Sequence, residues 1–145
     1  MIYTMNPKYR MNIYYKIWID CIQRALSIPA NKGNWKRYTM IFMSMSMALN
    51  FMVFIAILQR EILDVSFYHL SLDIFPGRKL DAFMSFFILF LSPMLLINYF
   101  LIFRNNRYEI LIKKYKTYNG KLFISYFLAS LILPLLLLVI GKTLF

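Results

Sequence analysis

Six carboxylates, one histidine and one cysteine are the whole acid–base and soft-ligand inventory of this 145-residue chain. His69 falls among Asp64, Asp73 and Asp81, the one stretch where a general acid and a general base occur close in sequence. Arg60, Arg78 and Lys79 stand among the same carboxylates, so ordinary ion pairing or solvation accounts for them. Cys21 and His69 are expected on opposite sides of a membrane, which prevents a shared metal. Cys21 reads as a buried free thiol, with acylation the alternative. The chain has no nucleophile motif and no phosphate-cradling glycine loop. These readings predict a protein that is not an enzyme and needs no metal or other cofactor. A membrane enzyme using the His69 and Asp73 region is the distant alternative.

The remaining polar groups are neutral and lie inside apolar runs. They are Ser44, Ser46 and Asn50 in one run, Ser85, Ser92 and Asn98 in a second, and Ser125, Tyr126 and Ser130 in a third. In hydrocarbon such groups hydrogen-bond between helices, at about 0.6 kcal/mol each on average. Ser44, Asn50, Ser92, Asn98, Ser125 and Ser130 are the expected interhelical contacts, a polar pocket or pore lining being the alternative. Pro93 and Pro134 are expected to bend their helices and free carbonyls. Met40, Met43, Met45, Met47 and Met52 supply adaptable packing or a partner-binding face. Copper binding is not expected, because the same run offers no histidine.

Elements that hold such groups follow from composition. Apolar residues make up 61% of the chain and charged ones 16%, against roughly 25% charged in a soluble domain. A soluble chain of this length could not hide that surface. A bilayer core about 30 Å thick takes about 20 apolar residues as a helix, and three stretches meet this, at about 39–58, 82–103 and 122–140. Period-2 alternation is missing, which argues against membrane strands. The predicted class is all-α and integral to a membrane, with a segment 1–38 followed by a three-helix membrane domain 39–145. The first apolar run starts too late and runs too long for a cleaved signal peptide. Met1, Met5 and Met11 are all possible starts.

Charge sets the orientation. Thirteen of the seventeen basic residues lie before the first run or between the second and third. The positive-inside rule therefore places the N-terminus in the cytoplasm and the C-terminus outside. The inner segments carry the entire net charge of +11, which predicts attraction to anionic lipid on the cytoplasmic side. Nucleic acid is not expected, since topology already explains the basic bias.

Residues 12–27 read as an amphipathic helix. Asn12, Lys16, Asp20, Gln23, Arg24 and Ser27 form its polar stripe, with Lys16–Asp20 and Asp20–Arg24 spaced for i,i+4 pairing. The helix is expected to lie in the inner interface or to cap the bundle. Trp18, Trp35, Lys36 and Arg37 are the expected interfacial anchors. Tyr108, Leu111, Ile112, Tyr115 and Tyr118 share one helical face, after a break expected near Asn105-Asn106 and before a turn at Asn119-Gly120. In the outer loop, residues 70–74 allow a short extended segment. Asp81 is placed to cap the second span.

The stretch Lys79 to Lys121, with Leu96-Ile97-Asn98-Tyr99-Phe100-Leu101-Ile102-Phe103 and Arg107-Tyr108-Glu109, resembles small uncharacterised bacterial membrane proteins. The abundance of Ile, Lys, Asn, Tyr and Phe also fits an AT-rich genome. The resemblance implies a multi-pass protein of the bacterial inner membrane and assigns no site residue. The expected role is an accessory, assembly or immunity-type subunit that acts on a membrane-protein partner or by self-association. An oligomeric channel or small permease is the alternative.

Overall fold

A computed structural model describes residues 12–31, 33–63 and 72–144, and these are helical with no strand among them. Helix α1 spans Ile13–Ser27 and α2 spans Trp35–Leu63. Helix α3 covers 78–103 and is assembled from Arg78–Phe86, a π-helical turn at Phe87–Leu91, Ser92–Asn98, and a second π-helical turn at Tyr99–Phe103. Helix α4 is Arg107–Lys114 and α5 is Lys121–Leu144.

Local chemistry accounts for the boundaries. Asn12 starts α1 by accepting the Tyr14 backbone N–H at 3.0 Å. Ile28 is extended and Pro29 follows, which ends it. The first π-helical turn sits directly before Pro93. Its wide register, with the Ser92 N–H donating to the Phe87 carbonyl, makes room where a proline ring would crowd the preceding turn. Asn105 and Asn106 then take left-handed backbone conformations, φ 56° and 52°, which turns the chain out of α3 and into α4. Asn119 and Gly120, also at positive φ, make the turn into α5.

Two helices, Trp35–Gln59 and Arg78–Lys114, are long and apolar enough to cross a membrane, and Lys121–Leu137 is a shorter apolar stretch. In the most apolar 18 residues of each long stretch, only 28% and 22% are buried within the chain. Their apolar side chains therefore face mostly outward, unlike those of a soluble core helix. Exposed residues include Ile41, Phe42, Phe54 and Ile57 on α2, Phe83, Ile88 and Leu96 on α3, and Leu135 and Val139 on α5.

Helix α2 packs against both α3 and α5, and α1 lies across α2, α4 and α5. Ser44 and Ala48 are fully buried on α2, and such small residues let helix backbones approach closely. Ala48 packs with Phe90 and Met94 in one core cluster. The other cluster holds Trp18, Ile19, Cys21 and Ile22 of α1 with Met43, Ile102 and Tyr115. Among the five methionines of the first run, Met43 is the one at 1% exposure, a core position.

Three local expectations change. Helix α1 has no continuous polar stripe, because Asp20 is fully buried and pairs with neither Lys16 nor Arg24. The anchor expectation for Trp18 also changes. Its ring is fully enclosed and meets Phe103 edge-on at 5.7 Å, so no indole surface is left for an interface. Asp81 is not the cap of α3, because Gly77 occupies that position. Residues 70 and 71 of the anticipated extended segment lie outside the described residues, as do Asp64 and His69.

Candidate functional site

Two hydrogen-bonded layers of neutral polar groups lie between the helices. In the first, the Asn98 amide donates to Ser44 Oγ at 2.8 Å and accepts from the Tyr14 hydroxyl at 2.7 Å. Asn98 has no solvent exposure, and it ends the short α-helical segment between the two π-helical turns of α3. This layer joins α1, α2 and α3. Burial raises the Tyr14 phenol above its ordinary range, so the hydroxyl keeps its proton and acts as a donor.

In the second layer, the Asn50 amide donates to Ser130 Oγ at 2.9 Å and to the Tyr126 hydroxyl at 3.1 Å. Ser130 in turn donates to the Tyr126 carbonyl one turn back. This layer joins α2 to α5. Ser46 and Thr39 satisfy their hydroxyls on carbonyls of their own helix. The side-chain hydroxyls of Ser92 and Ser125 take no hydrogen bond among the described residues, and Ser125 is exposed.

A third polar centre sits at the N-terminal end of α5. Asp20 Oδ1 accepts from the backbone N–H groups of Tyr118 (2.6 Å) and Gly120 (3.0 Å) and from the Thr117 hydroxyl (3.3 Å). Asp20 Oδ2 accepts from Leu122 (3.0 Å) and Phe123 (3.2 Å). One carboxylate thus satisfies the turn and the first N–H groups of α5, where its negative charge also meets the positive end of the helix. The signal for this was present in the sequence. The third apolar run opens after Asn119-Gly120, and Gly120 brings no capping side chain, so a buried start required an acceptor from elsewhere.

A second carboxylate gathers backbone N–H groups of the loop that precedes α3. Asp81 Oδ1 accepts from the backbone N–H of Ile74 and of Phe75, each at 3.1 Å, and Oδ2 accepts from Asp73 at 3.2 Å. Ser85 accepts the Leu72 N–H at 3.0 Å. Asp81 precedes the apolar stretch 82–103, and the Phe75 N–H foremost among these donors holds its carboxyl below the usual carboxylate range.

At the start of α2, Trp35 is half-buried while Lys36 and Arg37 are exposed. The Lys36 ammonium lies 4.8 Å from the Tyr108 ring centre and 5.5 Å from that of Trp35. Cys21 is buried, and burial pushes its thiol up. No cluster of metal-ligating side chains occurs among the described residues. Most inward polar groups are joined in these layers and capping contacts, which hold helices in register, whereas buried Trp18 Nε1 and Gln23 Oε1 take no hydrogen bond among the described residues. Neither a family model, nor a curated protein, nor a solved structure matches this chain.

Proposed function

We propose that the chain is a three-span protein of the bacterial inner membrane, N-terminus cytoplasmic and C-terminus outside, with α1 seated at the inner face. We infer that it is a non-catalytic accessory, assembly or immunity-type subunit acting through contacts within the membrane. The 24 residues of α5 rise about 36 Å, enough for a third crossing, and the basic residues concentrate on one side.

The observation that carries the subunit reading is the pairing of inward polar groups. Asn98, Ser44 and Tyr14 engage one another, as do Asn50, Ser130 and Tyr126. The outward surface is apolar over all three long helices. That arrangement favours a rigid unit whose outer face meets lipid or another protein. An oligomeric channel or permease subunit is the competing reading, and exposed Ser125 favours it as a polar hydroxyl facing outward on α5.

Purification of a tagged copy from native membranes in mild detergent, with native mass and protein identification, separates the two. A second protein at fixed ratio supports the subunit reading. A ring of several copies of this chain alone, making liposomes leak, replaces it with the channel reading. A reporter fused after Phe145 that is active in the cytoplasm refutes the three-span topology.

A further inference from the structure

The inner rim carries an aromatic floor whose rings are fixed by the core. Phe103 meets buried Trp18 at 5.7 Å, Trp35 at 6.2 Å and Tyr108 at 5.9 Å, and Trp35 meets Tyr108 at 5.3 Å. Lys36 rests over Trp35 and Tyr108, and Arg104 lies 5.4 Å from the Phe100 ring centre. Cation–π contact positions both charges without neutralising them. Arg104 follows Phe103 directly and Arg107 precedes Tyr108, and all three cations are exposed. Neither Lys36 nor Arg104 is paired with a carboxylate among the described residues. The nearby Glu109 accepts the Tyr108 hydroxyl at 3.2 Å. Helix α4 continues from this rim with Ile110 turned outward at 69% exposure, three positions from both Arg107 and Lys113. An apolar tip between cations is the pattern of an element resting in a headgroup layer.

We propose that Lys36, Arg104 and Arg107 form a localised site for the headgroup of an anionic phospholipid, floored by Trp35, Phe103 and Tyr108. The occupant is chosen by charge complementarity and position. Unpaired cations stand where two apolar helices end, at the level of lipid phosphates. The site rests on the membrane reading and adds to it a binding locus distinct from the diffuse attraction of the basic loops.

The chain's own tryptophans provide the test. It has two, and Trp18 is enclosed, so lipid contact is reported by Trp35. The full chain is placed in phosphatidylcholine vesicles holding an equal small fraction of brominated phosphatidylglycerol or brominated phosphatidylcholine. The anionic bromolipid is expected to quench several-fold more strongly. The K36Q/R104Q double variant is expected to lose that preference, since each charge is worth about fivefold in affinity. K36R/R104K, which folds with the same charge, is expected to keep it, as is K113Q/K116Q. Equal quenching by the two bromolipids overturns the site. So does an equal loss in K113Q/K116Q, which would mean diffuse attraction, or full competition by inorganic phosphate, which would mean a soluble ligand. Failure of the chain to float with the vesicles overturns the membrane reading itself, whereas flotation with equal quenching overturns this inference alone.

Discussion

Asp20 accepts the Gly120 backbone N–H at 3.0 Å across 100 positions of sequence. The bond ties the middle of the first helix to the start of the last. Gly120 sits at φ 80°, in the left-handed region that costs an L side chain energy. A Cβ there would stand 2.7 Å from Arg24 Cγ and 3.1 Å from Arg24 Cβ, so helix α1 closes over the glycine as its carboxylate reaches the turn. The start of α5 is thus built jointly by two distant segments, and neither end is complete alone.

Replacing Asp20 tests how much rests on that contact. Asp20→Ala leaves several buried N–H groups without an acceptor, each worth about 1–3 kcal/mol, and is expected to destabilise the protein by about 3 kcal/mol or more. Asp20→Asn keeps the shape and one acceptor oxygen, and about 1–2 kcal/mol is expected. Equilibrium unfolding in mixed detergent measures both. If the two variants unfold like the wild type, the carboxylate is not what holds α5.

Gly120→Ala carries two separable costs. Positive φ contributes about 1 kcal/mol, and the clash with the root of the Arg24 side chain adds to it. Arg24→Gly removes Cβ, Cγ and Cδ, the three atoms in the way. In the Arg24→Gly background the penalty of Gly120→Ala should fall toward the backbone part alone. An unchanged penalty in the double variant would assign the whole effect to backbone strain.

The elements that were legible in the sequence are those dictated by long apolar runs and strong turn residues. An all-helical chain follows from runs too long for strands, and the breaks at Asn105-Asn106 and Asn119-Gly120 follow from residues that tolerate positive φ. Asn50 with Ser130 and Asn98 with Ser44 are interhelical contacts of the expected kind. Asp20 was misplaced for a physical reason. A helical wheel groups it with Lys16 and Arg24, whereas its partners are four main-chain N–H groups and the Thr117 hydroxyl, and main-chain donors have no sequence signature at the acceptor. Trp18 differs for a similar reason, because an indole near the end of an apolar run serves equally as anchor or core, and packing on Phe103 decides. Ser125 and Ser130 differ by little more than one helical turn, and rotation about α5 leaves the first exposed and the second buried.

Asp81 predicts a local response to acid. Its folded pKa lies below the ordinary 3.8. Stability of that sign is complete above the unfolded value and is lost as pH falls through the folded one. The segment 73–75 should therefore hold its structure at neutral and mildly acidic pH and loosen only below about pH 4. Amide exchange at Asp73, Ile74 and Phe75, corrected for intrinsic rates, reads this directly. Asp81→Asn should raise the same three rates at neutral pH, and exchange that is indifferent to both would separate the carboxylate from the loop.

Cys21 predicts chemical silence. Burial at 3% exposure and the raised thiol pKa leave almost no accessible thiolate at neutral pH, and the thiolate is the reactive form. A maleimide should leave Cys21 unmodified in the folded protein and modify it fully in denaturing detergent. Because Cys21 packs in the cluster that seats α1, Asp20→Ala should speed the labelling. Rapid modification of the wild type would mean that α1 leaves the bundle often.

Tyr14 and Asn98 allow the polar layer to be measured as a coupling. Tyr14→Phe removes only the hydroxyl, and Asn98→Leu replaces the amide by an apolar group of similar volume. Each single variant leaves the other partner buried without its bond, so each is expected to cost about 1 kcal/mol. The double variant removes the hydroxyl and the amide together and should cost less than the sum, with a coupling of about 0.5–1.5 kcal/mol. Ser44 loses its donor in Asn98→Leu in either background, so that part cancels in the cycle. Strict additivity would mean that the 2.7 Å contact contributes no stability, and α1 would then be seated by Asp20 and the apolar cluster around Trp18 alone.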